Sequence, residues 1–80
     1  MDEELRKLRA IIADVLNVDP DEITMETTFV DDLGADSLDL YQIVMGIEEE
    51  FGLTVQPEIA EKVTTVEEAL NLIKGAQGEA

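Results

Sequence analysis

Leu5, Leu8, Ile11, Ile12, Val15 and Leu16 recur at three- and four-residue spacings, and that pattern commits the start of the chain to an amphipathic helix. The predicted helix spans Asp2 to Leu16. Asp2, Glu3 and Glu4 complement its positive N-terminal end, and Asn17 with the Asp19-Pro20 pair stops it, since proline disfavours helix in the residue before it. One stripe of aliphatic side chains needs a partner surface, and only two later stretches offer the same period.

The first of these begins at Asp36-Ser37-Leu38-Asp39, which reads as a helix start with Asp36 as N-cap and Ser37 at the first helical position. That helix should run to Phe51 and end at Gly52, with Leu40, Ile43, Val44, Ile47 and Phe51 on its core face. The opposite side collects Leu38, Gln42, Met45 and Glu49, two apolar residues among polar ones on a face that should meet water. The second begins with a capping-box pattern, Thr65-Val66-Glu67-Glu68, and carries Val66, Ala69, Leu70 and Ile73 up to Lys74-Gly75. Between them Leu53 to Glu58 reads as a connection, and Ile59 to Val63 as a single helical turn with Ala60 and Val63 facing inward.

From Asn17 to Asp36 no long period appears, so the segment must be pinned to the core. A capped turn at Asp19-Pro20-Asp21-Glu22 and the apolar Ile23, Phe29, Val30 and Leu33 are available for that, with Gly34 supplying backbone freedom before the second helix. The expectation is all-α, three main helices and one short one around a single core. Residues 1–75 form one domain, and 76–80 a flexible tail.

Charge narrows the possible functions. The 80 residues hold 20 Asp and Glu against 5 Lys and Arg, a formal net charge of -15, and no base lies between Ala10 and Glu61. Such a field repels nucleic acid and anionic lipid, and favours partners with basic patches. A hydrophobic fraction of 45% places the chain among folded domains despite its acidity. Neither Cys nor His is present, which removes thiolate zinc sites, disulfides and every Ser-His or Cys-His nucleophile. The N-terminus is charged from its second residue, unlike a signal peptide, and no apolar run approaches membrane-spanning length, so a cytoplasmic monomer is expected.

Position alone explains Ser37 as a serine near a helix start. With no His, and with Asp neighbours that raise the cost of an alkoxide, it is a poor nucleophile unaided. A phosphodiester there would instead meet the free amides and dipole of a helix N-terminus. Ser37 suits modification better than catalysis.

The segments LGADSLD, IVMGIEEEFG and AEKVTTVEEAL resemble the acyl carrier proteins of fatty acid synthesis, and the likeness runs from the first helix to about Lys74. The resemblance implies a small four-helix bundle of the acyl-carrier type, not itself an enzyme. In it Ser37 receives 4'-phosphopantetheine from coenzyme A through a magnesium-dependent phosphopantetheinyl transferase, and acyl groups ride on the arm's thiol as thioesters. It further implies delivery to ketoacyl synthase, reductase, dehydratase and acyltransferase enzymes. Asp36, Leu38, Asp39, Met45, Glu48 and Glu49 are the expected recognition residues, and Ile43, Val44, Ile47, Ala60, Val63 and Leu70 the expected lining of an acyl-chain cavity. No metal ligand set is expected in the protein itself.

The chain departs from the family pattern at Gln42, commonly Glu, at Gly46, commonly Ala, and in the milder segment Gln56-Pro57-Glu58-Ile59. Gly46 weakens a helix by about 1 kcal/mol relative to Ala. These departures leave open a carrier of polyketide or peptidyl type, although Ala35-Asp36 before Ser37 leans toward fatty acid. A calcium site at Asp31, Asp32, Asp36 and Asp39 lacks the EF-hand spacing, and paired-carboxylate catalysis lacks room for a substrate cleft.

Overall fold

The computed structural model describes residues 3–76, in which helices α1 (Glu3–Leu16), α2 (Ser37–Phe51), α3 (Pro57–Ala60) and α4 (Val66–Ala76) follow one another, with a 3₁₀ turn over Pro20–Glu22. Helix α1 packs against α2, α4 and the 3₁₀ turn. Its Leu8 and Ile12 are fully buried, and they meet Ile43 and Ile47 of α2 and Val66, Ala69, Leu70 and Ile73 of α4 in one core. Asp2, expected in the first turn of α1, and residues 77–80 of the expected tail lie outside the described residues, while Ala76 belongs to α4.

Both long helices leave through the same backbone device. Asn17 after α1 (φ 57) and Gly52 after α2 (φ 64) adopt the left-handed conformation. The next amide then reaches back to the last turn, Val18 N–H to the Ala13 carbonyl at 3.1 Å and Leu53 N–H to the Glu48 carbonyl at 3.2 Å. Asn17 is a natural substitute for glycine here, because Asn tolerates this region better than other side chains.

Gly46 has a packing reason that helix propensity hides. A Cβ at this position would lie 2.8 Å from Cγ2 of Ile11. The missing side chain is what lets α1 and α2 approach, so the propensity lost within α2 is exchanged for contact between helices.

The segment between α1 and α2 is held from several sides. Arg9 of α1 donates to the Pro20 carbonyl, its Nε at 3.0 Å, and its guanidinium lies 3.7 Å from Asp21 Oδ1. The Met25 and Thr27 carbonyls accept from Glu67 and Val66 N–H at 3.0 Å, so the segment satisfies the first free amides of α4. Thr65 and Glu68 complete the capping box: Glu68 N–H donates to Thr65 Oγ1 at 3.2 Å, and Thr65 N–H to Glu68 Oε1 at 3.1 Å.

Two expectations needed correction. Val30 does not tie the segment to the core but is 57% exposed, the anchors being Ile23, Phe29 and Ala35 with help from Leu33. The short helix is not Ile59–Val63 but Pro57–Ala60. Pro57 heads this helix instead of belonging to the connection, because proline lacks only an amide that a first helical residue leaves unused, and its fixed φ suits that position.

Candidate functional site

Ser37 is placed by a tight turn that ends just before it. Thr28 and Asp32 exchange hydrogen bonds, Thr28 N–H to Asp32 Oδ2 at 2.8 Å and Asp32 N–H to Thr28 Oγ1 at 3.1 Å. Overlapping that pair, Gly34 N–H donates to the Val30 carbonyl at 3.0 Å and Ala35 N–H to the Phe29 carbonyl at 2.9 Å. Gly34 sits at φ 68 with open space around it, so backbone conformation rather than crowding requires glycine. Phe29 and Ala35 are buried at the two ends of the turn, and this fixes where the chain re-emerges.

It re-emerges at the start of α2. Asp36 is the N-cap: its Oδ1 accepts from Asp39 N–H at 2.9 Å, while Asp39 Oδ2 accepts from Asp36 N–H at 3.2 Å. The two carboxylates serve each other's amides, so neither is placed as a base for Ser37. Ser37 is the first residue of the 15-residue helix and is exposed. Asp32 is likewise engaged by Thr28, and among the described residues no three carboxylates gather as a metal site.

Beside Ser37 opens a cleft of about 350 Å³ between α2 and the α3 segment, lined by Leu40, Tyr41, Val44, Val55, Pro57 and Ala60, with Glu48 and Glu61 at its edge. Leu40, Val44, Val55 and Ala60 also line a second, smaller apolar space of about 30 Å³. Phe29, Ile43, Ile47, Val63, Ala69 and Leu72 complete its wall. The same four side chains therefore border both spaces, each of which is partly open to solvent.

Of the expected cavity residues, Ile43, Val44, Ile47, Ala60 and Val63 meet at the smaller space, and Leu70 does not. Leu70 is buried in the core, and Ala69 and Leu72 face that space from α4. At about 100 degrees per residue, Leu70 and Leu72 fall on opposite flanks of Ala69. The stripe alone could not tell which flank adjoins α2.

Of the expected recognition residues, Asp36, Leu38, Met45 and Glu49 are exposed on α2, Leu38 by 62% and Met45 by 41%. Asp39 is half-buried in the capping box. Glu48 is half-buried too, and its Oε2 accepts from Val55 N–H at 2.9 Å. Sequence reasoning missed Tyr41, which is 62% exposed between Leu38 and Met45. The three- and four-residue spacing Leu38, Tyr41, Met45 carried that signal.

Glu68 is the titrating group whose surroundings shift it clearly. The Thr64 hydroxyl donates to Oε1 at 2.7 Å, and the Thr64 and Thr65 amides each donate at 3.1 Å. Those bonds, the Thr64 hydroxyl first, hold its carboxyl below the ordinary value of 4.5.

A family model for the phosphopantetheine attachment site matches residues 6–73. An acyl carrier protein from Petrotoga mobilis is 50% identical over 72 residues, spanning 90% of this chain and 85% of its own. One from Clostridium acetobutylicum is 52% identical over 68 residues, 85% of this chain and 88% of its own. A solved structure from Mycobacterium tuberculosis, of a protein assigned as an acyl carrier protein, superposes with a TM-score of 0.81 at 32% identity, over 85% of this chain and 90% of that one.

Proposed function

Because the chain belongs to the acyl carrier protein family, with a phosphopantetheine attachment domain, we propose that Ser37 bears the 4'-phosphopantetheine arm and that the chain carries acyl groups between enzymes of fatty acid synthesis. The observation that carries the reading is the exposed Ser37 hydroxyl at the head of α2, opening directly onto an apolar cleft of about 350 Å³. When attached, the arm supplies a terminal thiol, which a chain without Cys does not itself possess.

The protein's own residues orient and shelter. The turn from Phe29 to Ala35 holds Ser37 outward, and the Asp36 and Asp39 carboxylates are engaged with backbone amides. Activation of the hydroxyl therefore falls to a phosphopantetheinyl transferase, and the chain is a carrier without catalysis of its own. Leu40, Tyr41, Val44, Val55, Pro57 and Ala60 give the arm and short cargo an apolar resting place. Longer cargo can follow the apolar side chains shared by both spaces, Leu40, Val44, Val55 and Ala60, toward Ile43, Ile47, Val63, Ala69 and Leu72.

Transient docking uses the exposed face of α2. Leu38, Tyr41 and Met45 supply apolar contact, and Asp36, Asp39 and Glu49 meet basic patches on synthase, reductase, dehydratase and acyltransferase partners. The acidic surface disfavours nucleic acid and anionic membranes, and among the described residues no helix is long and apolar enough to cross a membrane. A monomer working in the cytoplasm fits this use.

Incubation with coenzyme A, magnesium and a phosphopantetheinyl transferase should add one phosphopantetheine by intact mass. Loss of the shift in Ser37→Ala supports the assignment, and an unchanged shift in that variant refutes it.

A further inference from the structure

Glu48 does not resemble the acidic residues beside it. Glu49 and Glu50 are exposed, whereas Glu48 is half-buried at the edge of the cleft. Its backbone carbonyl accepts from Gly52 N–H and, at 3.2 Å, from Leu53 N–H, and its carboxylate accepts from Val55 N–H at 2.9 Å. One residue therefore holds three amides of the connection that leaves α2. Beyond it, the hydrogen bonds described for residues 56–62 stay within residues 56–63. Helix α3 is four residues long, has no side-chain N-cap, and forms no helix pairing of the kind α1 forms with α2 and α4. A helix this short has little stability of its own and depends on what ties it down. The Val55 bond is the polar tie between α2 and the segment that supplies Val55, Pro57 and Ala60 to the cleft's far wall.

We propose that Glu48 is a positioning residue of the cleft, its carboxylate fixing Val55 and thereby the spacing of α2 and α3. The proposal rests on the reading that the cleft beside Ser37 shelters what the arm carries. A carboxylate bond to a part-buried amide is stronger than a neutral one, and removing it leaves the Val55 amide without its acceptor in an apolar wall.

Charge and geometry separate in two substitutions. Glu48→Gln removes the charge but keeps a carbonyl acceptor at the same reach, and Glu48→Ala removes both. Parent and variants are compared by amide hydrogen exchange on unloaded and hexanoyl-loaded chains, loading being established by intact mass, and by the rate of hydrolytic acyl loss. Glu48→Ala should speed exchange at Val55 by about tenfold or more and hasten acyl loss. Leu53, whose acceptor is the Glu48 backbone, should keep its protection in every variant, and Glu48→Gln, with a weaker neutral bond, should fall between parent and Glu48→Ala in both readouts. Glu48→Gln matching Glu48→Ala, or unchanged Val55 exchange in Glu48→Ala, overturns the proposal. A chain that accepts no arm overturns the Ser37 reading instead, while exchange on the unloaded chain still decides the Glu48 tie.

Discussion

Gly46→Ala offers a case in which helix propensity and packing predict opposite signs. On propensity alone, Ala in the middle of α2 should stabilise by about 1 kcal/mol. The added Cβ, however, would lie 2.8 Å from Ile11 Cγ2, with Ile11 Cγ1 and Cβ at 3.8 and 3.9 Å. Carbon pairs prefer about 3.5–4.0 Å, so only the Cγ2 contact is too short, by close to 1 Å. Cγ2 is a methyl on a β-branched residue within a helix, where one side-chain rotamer dominates, so it cannot swing aside freely. Overpacking of this kind costs about 1–3 kcal/mol, which leaves a net destabilisation of about 1 kcal/mol. In an Ile11→Ala background the obstructing methyl is gone, and the same Gly46→Ala change should stabilise by about 1 kcal/mol. Urea denaturation followed by far-UV circular dichroism on the four chains of the cycle measures a coupling of about 2 kcal/mol. Equal stabilisation by Gly46→Ala in both backgrounds would refute the reasoning.

Gly34→Ala should destabilise the fold by about 1–2 kcal/mol, the cost of a side chain in the left-handed region, and calorimetric melting checks it. Thr65→Ala removes the acceptor for Glu68 N–H and should cost about 0.5–2 kcal/mol in the same assay. Because Glu68 titrates below its unfolded value of 4.5 in the folded chain, its contribution is complete above that value and is lost as pH falls through the lower, folded value. The gap in melting temperature between parent and Thr64→Val should therefore be widest near neutrality and narrow in acid. A paired substitution, Leu38→Ala with Tyr41→Ala, should weaken transfer to a ketoacyl synthase with little change in salt dependence, while Glu49→Lys should change the salt dependence itself, both read from initial rates.

How far the sequence carries depends on whether a feature is local. The ranges of α1, α2 and α4 and the capping pairs Asp36/Asp39 and Thr65/Glu68 follow from period and side-chain chemistry within a turn or two, and the structure places them close to expectation. Ser37 at the first position of α2 was legible for the same reason. Features set by contact between distant elements were not. Gly46 looked like a weakness because Ile11 is remote in sequence, and Leu70 looked like cavity lining because a helical stripe does not say which flank faces which neighbour. The bond from Val55 N–H to the Glu48 carboxylate likewise joins residues on different elements, and nothing in the acidic run of α2 marks it. Val30 was misread for a related reason: in a segment without a period, hydrophobicity gives no facing direction, and its own backbone turn points it outward.

The central claim concerns a single atom. Ser37 is the chain's only serine, whereas the six threonines offer alternative hydroxyls. Fragment-ion mass spectrometry of the chain after loading from coenzyme A localises the added group directly. The account predicts phosphopantetheine on the fragment containing Ser37 and on no other, and the group on a threonine-bearing fragment that lacks Ser37 would contradict it.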